Sequence, residues 1–360
     1  KEEDNEDGDL PPANEIWYTS TDGEVVEVYT TNCVGNAAFD AEIISNTYEN
    51  GKGVITFDNE VTSIGEMAFD GCSTLVSVTF SDRVTEIGER AFAFCSSLTN
   101  ITIPDSVTSI GNSAFSDCSS LTSIVIPDSV TSIGASAFSG CSNLESITIP
   151  DSVTSIGNFA FFECVSFESI TIPGSVTSIG EHVFRGCSNL ASVTIEEGVT
   201  SIGYCAFWDC SSLVSIIIPD SVTEIGDCAF DECLSLESII IPDSVTSIGG
   251  YAFHECSSLA SVTIGSGVTS IGVYAFQGCS NLASVTIPDS VTSIGDWAFY
   301  YCSSLASVYC KATTPPSLGV EVFYNNASEC KIYVPTESVD AYKAAEGWCD
   351  YADYIEPYQF

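Results

Sequence analysis

The chain has 360 residues, of which 45% are hydrophobic and 11% aromatic, so it has enough apolar side chains to fold and does not have the composition of a disordered protein. Its 49 acidic and 8 basic residues give a net charge of -41, which argues against nucleic acid or anionic lipid as a partner because both repel such a field. No apolar run reaches the length of about 18 residues that a spanning helix needs, so we predict no transmembrane segment.

Residues 1–13 are rich in acids and contain Pro11 and Pro12, and we expect them to form a flexible, solvated tether. The chain begins at Lys1 rather than Met, which suggests a processed product whose targeting signal has been removed.

Residues 14–57 carry two hairpin signals. Residues 16–19 and 25–29 flank a Thr-Asp-Gly turn, and a second pair of β-rich segments brackets Asn50 and Gly51. We therefore predict a β-rich N-terminal cap that covers the open first edge of the repeat array beginning at residue 58.

Residues 58–307 repeat one motif, which reads L-x-x-I-x-I-P-D-S-V-T-x-I-G-x-x-A-F-x-x-C-S at residues 98–119. Its Val-Thr-(Ser/Glu)-Ile-Gly core recurs every 23 residues in eleven copies without an insertion. A fixed short period of this kind is typical of a solenoid. A single coil buries too few side chains to fold alone, so its stability must come from the neighbouring coils.

Within one copy, alternation of apolar and polar residues predicts a half-buried strand that ends at Pro104, which has no N–H to donate. Gly111 then permits a sharp corner. The spacing of Ala114, Phe115 and Cys118 fits a short helical turn that closes the coil.

The L-x-x-I-x-I segment and the I-G-x-x-A-F-x-x-C ending resemble the leucine-rich repeats of BspA-like bacterial surface proteins over residues 58–307. The resemblance implies an α/β-type but mostly β fold, a right-handed leucine-rich-repeat solenoid with short strands and short helical turns. It also implies secretion to the cell surface and, for some members, adhesion to host matrix proteins or partner cells. It implies no catalytic activity, and we expect no cofactor.

Residues 308–360 lose the repeat apart from one echo at Leu318 to Phe323, and we interpret them as an α/β C-terminal cap. A strand is predicted at residues 331–335. Thr336 is the expected N-cap of a helix over residues 337–346, and Gly347 is expected to end it.

Most cysteines stand in one register of the repeat. A metal site needs convergent ligands, whereas one thiol per coil forms a line, so we predict buried free thiols that act as small apolar filler. Stacked coils place equivalent Cβ atoms about 4.8 Å apart, farther than a disulfide requires. For the remaining cysteines, a disulfide between Cys205 and Cys228, or between Cys310 and Cys330 or Cys349, stays open. The eleven residues in register are Cys72, Cys95, Cys118, Cys141, Cys164, Cys187, Cys210, Cys233, Cys256, Cys279 and Cys302.

Two further columns have a structural and a functional interpretation. An Asp follows the strand in most copies and could hold Ca²⁺ between coils, but turn formation by Asp explains it without metal, and we predict no metal site. The outward strand position is mostly Thr. It could form a hydroxyl lattice for glycan or ice, although Thr also simply suits strands. The Asp column is Asp82, Asp105, Asp128, Asp151, Asp220, Asp243 and Asp289.

Two positions that the motif leaves free carry aromatic residues in the second half of the array. Such side chains are typical of recognition surfaces, and the alternative is ring stacking between coils as part of the fold. We call the candidate ligand-binding residues the aromatic stripe: Phe159, Phe162, Trp208, Tyr251, Tyr274, Trp297 and Tyr300.

No catalytic grouping stands out. His182 and His254 lie three coils apart in different registers, and no metalloprotease, phosphate-loop or catalytic-triad motif is present. We therefore predict a non-enzymatic, monomeric binding or adhesion protein, secreted or anchored at the bacterial exterior, with an extracellular protein or glycan as ligand. The alternatives are a carbohydrate-binding module of a surface polysaccharide system and a structural spacer.

Overall fold

The computed structural model describes residues 10–360, so most of the predicted tether, residues 1–9, lies outside the described part. The chain divides into two compact units, Lys1–Val153 and Thr154–Phe360. Each is a β-solenoid in which short strands from successive repeats pair side by side. Within residues 10–360, no helix combines the length and apolarity needed to cross a membrane.

The first unit begins with an antiparallel cap that continues into parallel coils. Its strands are β1 Glu15–Ser20, β2 Ile43–Glu49, β3 Lys52–Phe57, β4 Ser63–Ile64, β5 Leu75–Thr79, β6 Glu86–Ile87, β7 Asn100–Ile101, β8 Ser109–Ile110, β9 Ser123–Val125, β10 Ser132–Ile133 and β11 Ser146–Thr148. Strand β1 pairs antiparallel with β3 and with β5, and β5 pairs parallel with β7. The short strands β4, β6, β8 and β10 form a second, parallel sheet.

The second unit repeats this pattern and ends in the C-terminal cap. Ser169 pairs with Ser192 and Ile170 with Val193, so identical repeat positions lie side by side. The strands are β12 Ser155–Ile156, β13 Ser169–Ile172, β14 Ser178–Ile179, β15 Ser192–Ile195, β16 Ser201–Ile202, β17 Ser215–Ile217, β18 Glu224–Ile225, β19 Ser238–Ile241, β20 Ser247–Ile248, β21 Ser261–Ile264, β22 Ser270–Ile271, β23 Ser284–Ile287, β24 Ser293–Ile294, β25 Ser307–Cys310, β26 Ser317–Leu318, β27 Lys331–Pro335 and β28 Ile355–Tyr358.

The phenylalanine of the Ala-Phe pair forms the core of each unit. Phe184, Phe207 and Phe230 are almost fully buried, and their rings stack at 5.3 Å between centroids. In the first unit Phe92 and Phe115 stack in the same way at 5.4 Å. Each ring therefore contacts equivalent rings in the adjacent coils, as the interpretation of one repeat as one coil requires.

The predicted short helical turn is wrong in detail, because residues 112–117 and their equivalents are consecutive turns. Ser113 and Asp117 have positive φ, which a right-handed helix does not allow. Their backbone N–H groups, with that of Phe115, donate to the next coil rather than along a helix, at 2.7 to 2.8 Å. Hydrogen bonds to the next coil thus alternate with turn bonds within the coil, in which Ala114, Ser116 and Cys118 donate to the residue three positions earlier at 3.1 to 3.3 Å.

The N-terminal cap contains one of the two predicted hairpins. The β2–β3 hairpin around Asn50 and Gly51 is confirmed. The hairpin through Gly23 is wrong, since residues 25–29 form no strand. Val26 is buried instead, and its N–H donates to the Tyr18 hydroxyl at 3.2 Å, so this segment packs on β1 rather than pairing with it.

The C-terminal cap contains the predicted strand and a shorter helix than expected. Strand β27 is confirmed, while the α-helix α1 spans Val339–Ala344 between two 3₁₀ helices, Thr336–Ser338 and Trp348–Tyr354. The Thr336 hydroxyl donates to the Tyr358 carbonyl and does not cap a helix, so the predicted N-cap is wrong. Gly347 has a φ of 76° and precedes the last 3₁₀ helix.

Candidate functional site

The aromatic stripe lies on two adjacent columns of the second unit. The first column stands two residues after the repeat glycine, and all its members have φ between 50° and 61°. The second column stands three residues further on, directly after the Ala-Phe pair. The first column is Phe159, His182, Cys205, Cys228, Tyr251, Tyr274, Trp297 and Glu321. The second is Phe162, Arg185, Trp208, Asp231, His254, Gln277, Tyr300 and Tyr324.

Rings of the first column stack from coil to coil. Tyr274 lies between Tyr251 and Trp297, with centroids 4.7 and 4.8 Å away. Phe159 stacks on His182 at 4.6 Å. These distances match the spacing of paired strands, about 4.8 Å, so the backbone ladder sets the separation of the rings.

The second column adds a cation held between two rings. The guanidinium carbon of Arg185 lies 3.9 Å from the ring centre of Trp208 and 5.6 Å from that of Phe162. Further along this column, Tyr300 stacks on Tyr324 at 5.9 Å. A cation between aromatic faces is attracted by both rings, which fixes the position of this arginine.

The structure divides the aromatic stripe into two clusters. The first aromatic cluster consists of Phe159, Phe162, His182, Arg185, Tyr204 and Trp208. The second aromatic cluster consists of two groups of rings: Tyr251, Tyr274 and Trp297 stack in the first column, and Tyr300 contacts Tyr301 and Tyr324. The backbone N–H of Tyr300 donates to the Trp297 carbonyl at 3.0 Å and links the two groups. Within residues 154–360, no ring contact joins the first cluster to the second.

Sequence reasoning missed three exposed tyrosines of these clusters. Tyr204, Tyr301 and Tyr324 occupy other positions of the coil or lie past the last regular repeat. Tyr204 precedes a first-column residue, and its ring meets His182 edge-on at 5.1 Å. Tyr204 and Tyr301 could have been found because most other copies carry polar or small residues at these positions, and Tyr324 because it continues the second column after a 24-residue step.

Polar residues separate the clusters. The His254 Nδ1 lies 2.7 Å from Oδ1 of Asp231, a carboxylate that is only 7% exposed. Burial opposes the charge on His254, but the hydrogen bond and charge of Asp231, with the nearby Glu255 and Glu232, raise its pKa above the ordinary value. Burial and the neighbouring Cys205 and Asp231 raise the pKa of Cys228 to about 12. The Cys228 thiol thus stays protonated and is a poor nucleophile at neutral pH.

The burial predicted for the cysteine column is confirmed. The Cys210 thiol donates to the Phe184 carbonyl at 3.2 Å, and Cys233 donates likewise to Phe207 at 3.3 Å. Burial raises the pKa of Cys141 to about 12. These thiols are therefore inert packing groups that also satisfy a carbonyl of the preceding coil.

The other two columns are exposed. Asp243 accepts the backbone N–H of Ser266 in the next coil at 2.6 Å, and this bond lowers the pKa of its carboxyl. In the outward strand position, Ile217 and Ile240 are 76% and 67% exposed among threonines. In residues 10–360, no three His, Cys, Asp or Glu side chains are grouped to hold a metal ion.

The chain matches the family model described as BspA type leucine rich repeat region (6 copies), over residues 42–136, 112–237 and 223–344. It is similar to the crystal structure of a leucine-rich repeat protein from Bacteroides ovatus ATCC 8483, with 30% identity, a TM-score of 0.56, and coverage of 87% of this chain and 90% of that chain. It also matches a leucine rich cell surface protein from Faecalibacterium prausnitzii A2-165, with 25% identity, a TM-score of 0.41, and coverage of 98% of each chain. None of the curated proteins matches it. The chain belongs to the BspA type leucine-rich repeat family.

Proposed function

We propose that this protein is a non-enzymatic binding scaffold at the bacterial exterior, and that its two aromatic clusters dock an extracellular protein with a basic surface. Membership of a family of bacterial surface repeat proteins supports a protein-binding or scaffold role. The fold supplies a rigid series of equivalent positions, on which single side chains can vary without disturbing the core.

The observation that carries the proposal is the presence of aromatic side chains at positions of the second unit where the backbone favours glycine. All twelve residues at the first-column position in residues 10–360, from Met67 to Glu321, have φ between 50° and 62°, and none is glycine. Four residues further on, a second left-handed position uses glycine in four of its twelve copies, at Gly71, Gly140, Gly186 and Gly278. A left-handed conformation costs a residue other than glycine about 1 to 2 kcal/mol.

Ser113, Ser136, Cys205 and Cys228 show that this position also accepts small side chains, so the backbone alone does not require the rings found in the other copies. In the second unit, four of the eight first-column residues are Phe, Tyr or Trp, and Tyr251 among them is 37% exposed. Tyrosine, tryptophan and arginine are the residue types that contribute most to protein interfaces, and they are pre-ordered here by stacking.

The net charge of the protein determines which partner surfaces it attracts. With 49 acidic and 8 basic residues, the protein attracts basic surfaces and repels acidic ones. The second aromatic cluster is flanked by acids, since Trp297 Nε1 donates to Glu321 at 3.2 Å. A basic partner would thus meet apolar rings at the centre and carboxylates around them, as in known interfaces.

The test is binding of the full chain to a panel of immobilised extracellular proteins that spans acidic to basic isoelectric points. We expect binding at micromolar concentration to basic members, with an affinity that falls as salt is added. A variant with Tyr251→Asn, Tyr274→Asn and Trp297→Asn should bind at least about tenfold more weakly. Asparagine tolerates positive φ, so this variant should retain the left-handed backbone conformation at all three positions.

The matched control is Met67→Asn, which makes the same kind of change at the same repeat position of the first unit, where φ is 62°. It should bind like the unchanged protein. Equal binding by the triple variant would refute the assignment of the site. Failure to bind any panel member would favour a structural spacer.

A further inference from the structure

The C-terminal cap contains a cavity of about 380 Å³ that lies outside the regular repeats. Its walls include Phe323, Tyr324, Asn326, Tyr351 and Tyr354. The volume falls in the range of small-molecule sites, about 300 to 1,000 Å³.

The aromatic walls are held in place from behind. The Tyr351 hydroxyl accepts the backbone N–H of Phe323 at 3.2 Å, and the two rings meet edge-on at 5.6 Å. Tyr324 and Tyr354 are 53% and 44% exposed and present ring surface at the cavity. Tyr324 also belongs to the second aromatic cluster, so the cavity lies at one end of that cluster.

The rest of the lining includes the apolar or weakly polar residues Ala327, Cys330 and Ile332, and several polar residues. Asn325, Ser328 and Asp350 supply amide, hydroxyl and carboxylate groups, and no lysine or arginine lines the cavity. A second cavity of about 660 Å³ shares Tyr324, Asp350 and Tyr351 with the first, and its lining includes Glu321 and Glu346. The surroundings are therefore acidic and would repel an anionic ligand.

We propose that this cavity in the C-terminal cap binds a neutral saccharide, and that the adjoining cavity receives the next sugar unit. Sugar rings have C–H faces that pack on aromatic side chains, and hydroxyl groups that both donate and accept hydrogen bonds. The Ser328 hydroxyl would donate to a sugar oxygen, and the Asp350 carboxylate would accept from a sugar hydroxyl. The absence of cations among the lining residues disfavours uronic acids and phosphates, which arginine or lysine would bind. This inference does not depend on the proposed protein partner.

The test uses the full chain and ligand-observed NMR or calorimetry with maltose, cellobiose, lactose and digalacturonic acid as probes. We expect at least one neutral disaccharide to bind and digalacturonic acid not to bind. Asp350→Ala removes the carboxylate acceptor of the lining and should weaken binding by about tenfold. Tyr354→Ala, which removes an exposed ring, should weaken it by about as much.

Tyr29→Ala is the matched control, since Tyr29 is a similarly exposed tyrosine of the N-terminal cap, and it should bind like the unchanged protein. The triple variant Tyr251→Asn, Tyr274→Asn and Trp297→Asn should keep sugar binding, which separates this proposal from the protein-binding proposal. The inference is overturned if no neutral probe binds at about 10 mM, a concentration that detects even weak sites. It is also overturned if digalacturonic acid binds equally well, or if neither cavity variant weakens binding.

Discussion

At the scale of single residues, the first column places backbone strain and ring stacking at the same position. Tyr274 has a φ of 58° and stacks between Tyr251 and Trp297. Stacking of this kind contributes about 0.5 to 1.5 kcal/mol beyond burial, which is close to the cost of the left-handed backbone. The rings thus offset a cost that glycine would not have incurred, and they do so while remaining partly exposed.

This balance predicts an unusual order of stability for two variants of Tyr274. Both Tyr274→Ala and Tyr274→Gly lose the stacking, but only alanine retains a Cβ in the left-handed conformation. We expect the alanine variant to be less stable than the glycine variant by about 1 kcal/mol, measured as midpoints of urea unfolding followed by circular dichroism.

The control for this comparison is Thr286, which is exposed in strand β23. At this position we expect the usual order, in which the Thr286→Gly variant is less stable than the Thr286→Ala variant, because glycine loses more backbone entropy on folding. A Tyr274→Gly variant that is less stable than Tyr274→Ala would contradict the strain argument.

At the scale of elements, the repeat could be predicted from sequence because each signal is local and recurs in register. Strand β13 ends directly before Pro173, the equivalent of Pro104, and Phe115 faces the core, as the pattern indicates, although β7 ends earlier, at Ile101. The turns around Ser113 could not be predicted, because their backbone N–H groups donate to the next coil and the sequence of one coil does not contain that partner. The predicted strand at Val26 is wrong for the same reason, because the tertiary contact with Tyr18 outweighs the strand propensity of this segment.

The aromatic stripe shows the same limit at the site. The 23-residue period placed Tyr251, Tyr274 and Trp297 in one column, and the structure stacks them. The period did not reveal Tyr324, because the last repeat is shifted, nor the cavity beside it, which forms from segments of the cap that are distant in sequence. Its lining could be identified only from the folded chain.

The two histidines, His182 and His254, lie in different environments, and we therefore predict that pH affects their contributions to stability in opposite directions. Burial, followed by the charge of Arg185, lowers the pKa of His182, so the folded state resists its protonation. The pKa of His254 is raised, because Asp231 and its neighbours outweigh burial. The stability that His254 contributes is present below its unfolded pKa, near 6.5, and is lost as the pH rises through its folded pKa.

We therefore expect His254→Gln to destabilise the protein more at about pH 5 than at about pH 8. His182→Gln should show the opposite trend and become relatively more stable as the pH falls, because the unchanged protein then carries the penalty of a histidine that resists protonation. Thermal melts of both variants at the two pH values, with the imidazole resonances followed by NMR, would measure this. The same sign of change in both variants would contradict the assignment of the two environments.

At the scale of the whole molecule, the dominant electrostatic feature is the large excess of acidic over basic residues. In the part of the chain that the structure describes, Lys and Arg form three ion pairs with acids: Arg83 with Asp82, Arg90 with Asp70, and Lys331 with Glu356. The sequence has 8 basic residues against 49 acidic ones, so there are too few cations to pair with most of the carboxylates. Repulsion among them opposes the compact state, while it also keeps the protein soluble.

This repulsion predicts that salt stabilises the protein, because added salt shortens the screening length from about 30 Å at 0.01 M to about 3 Å at 1 M. We expect the melting temperature at neutral pH to rise between these NaCl concentrations. Near pH 4 about half of the carboxylates are protonated, so the same increase in salt should have a smaller effect. An equal rise at both pH values would point to a general salt effect on apolar burial, and a fall at neutral pH would mean that the ion pairs outweigh the repulsion.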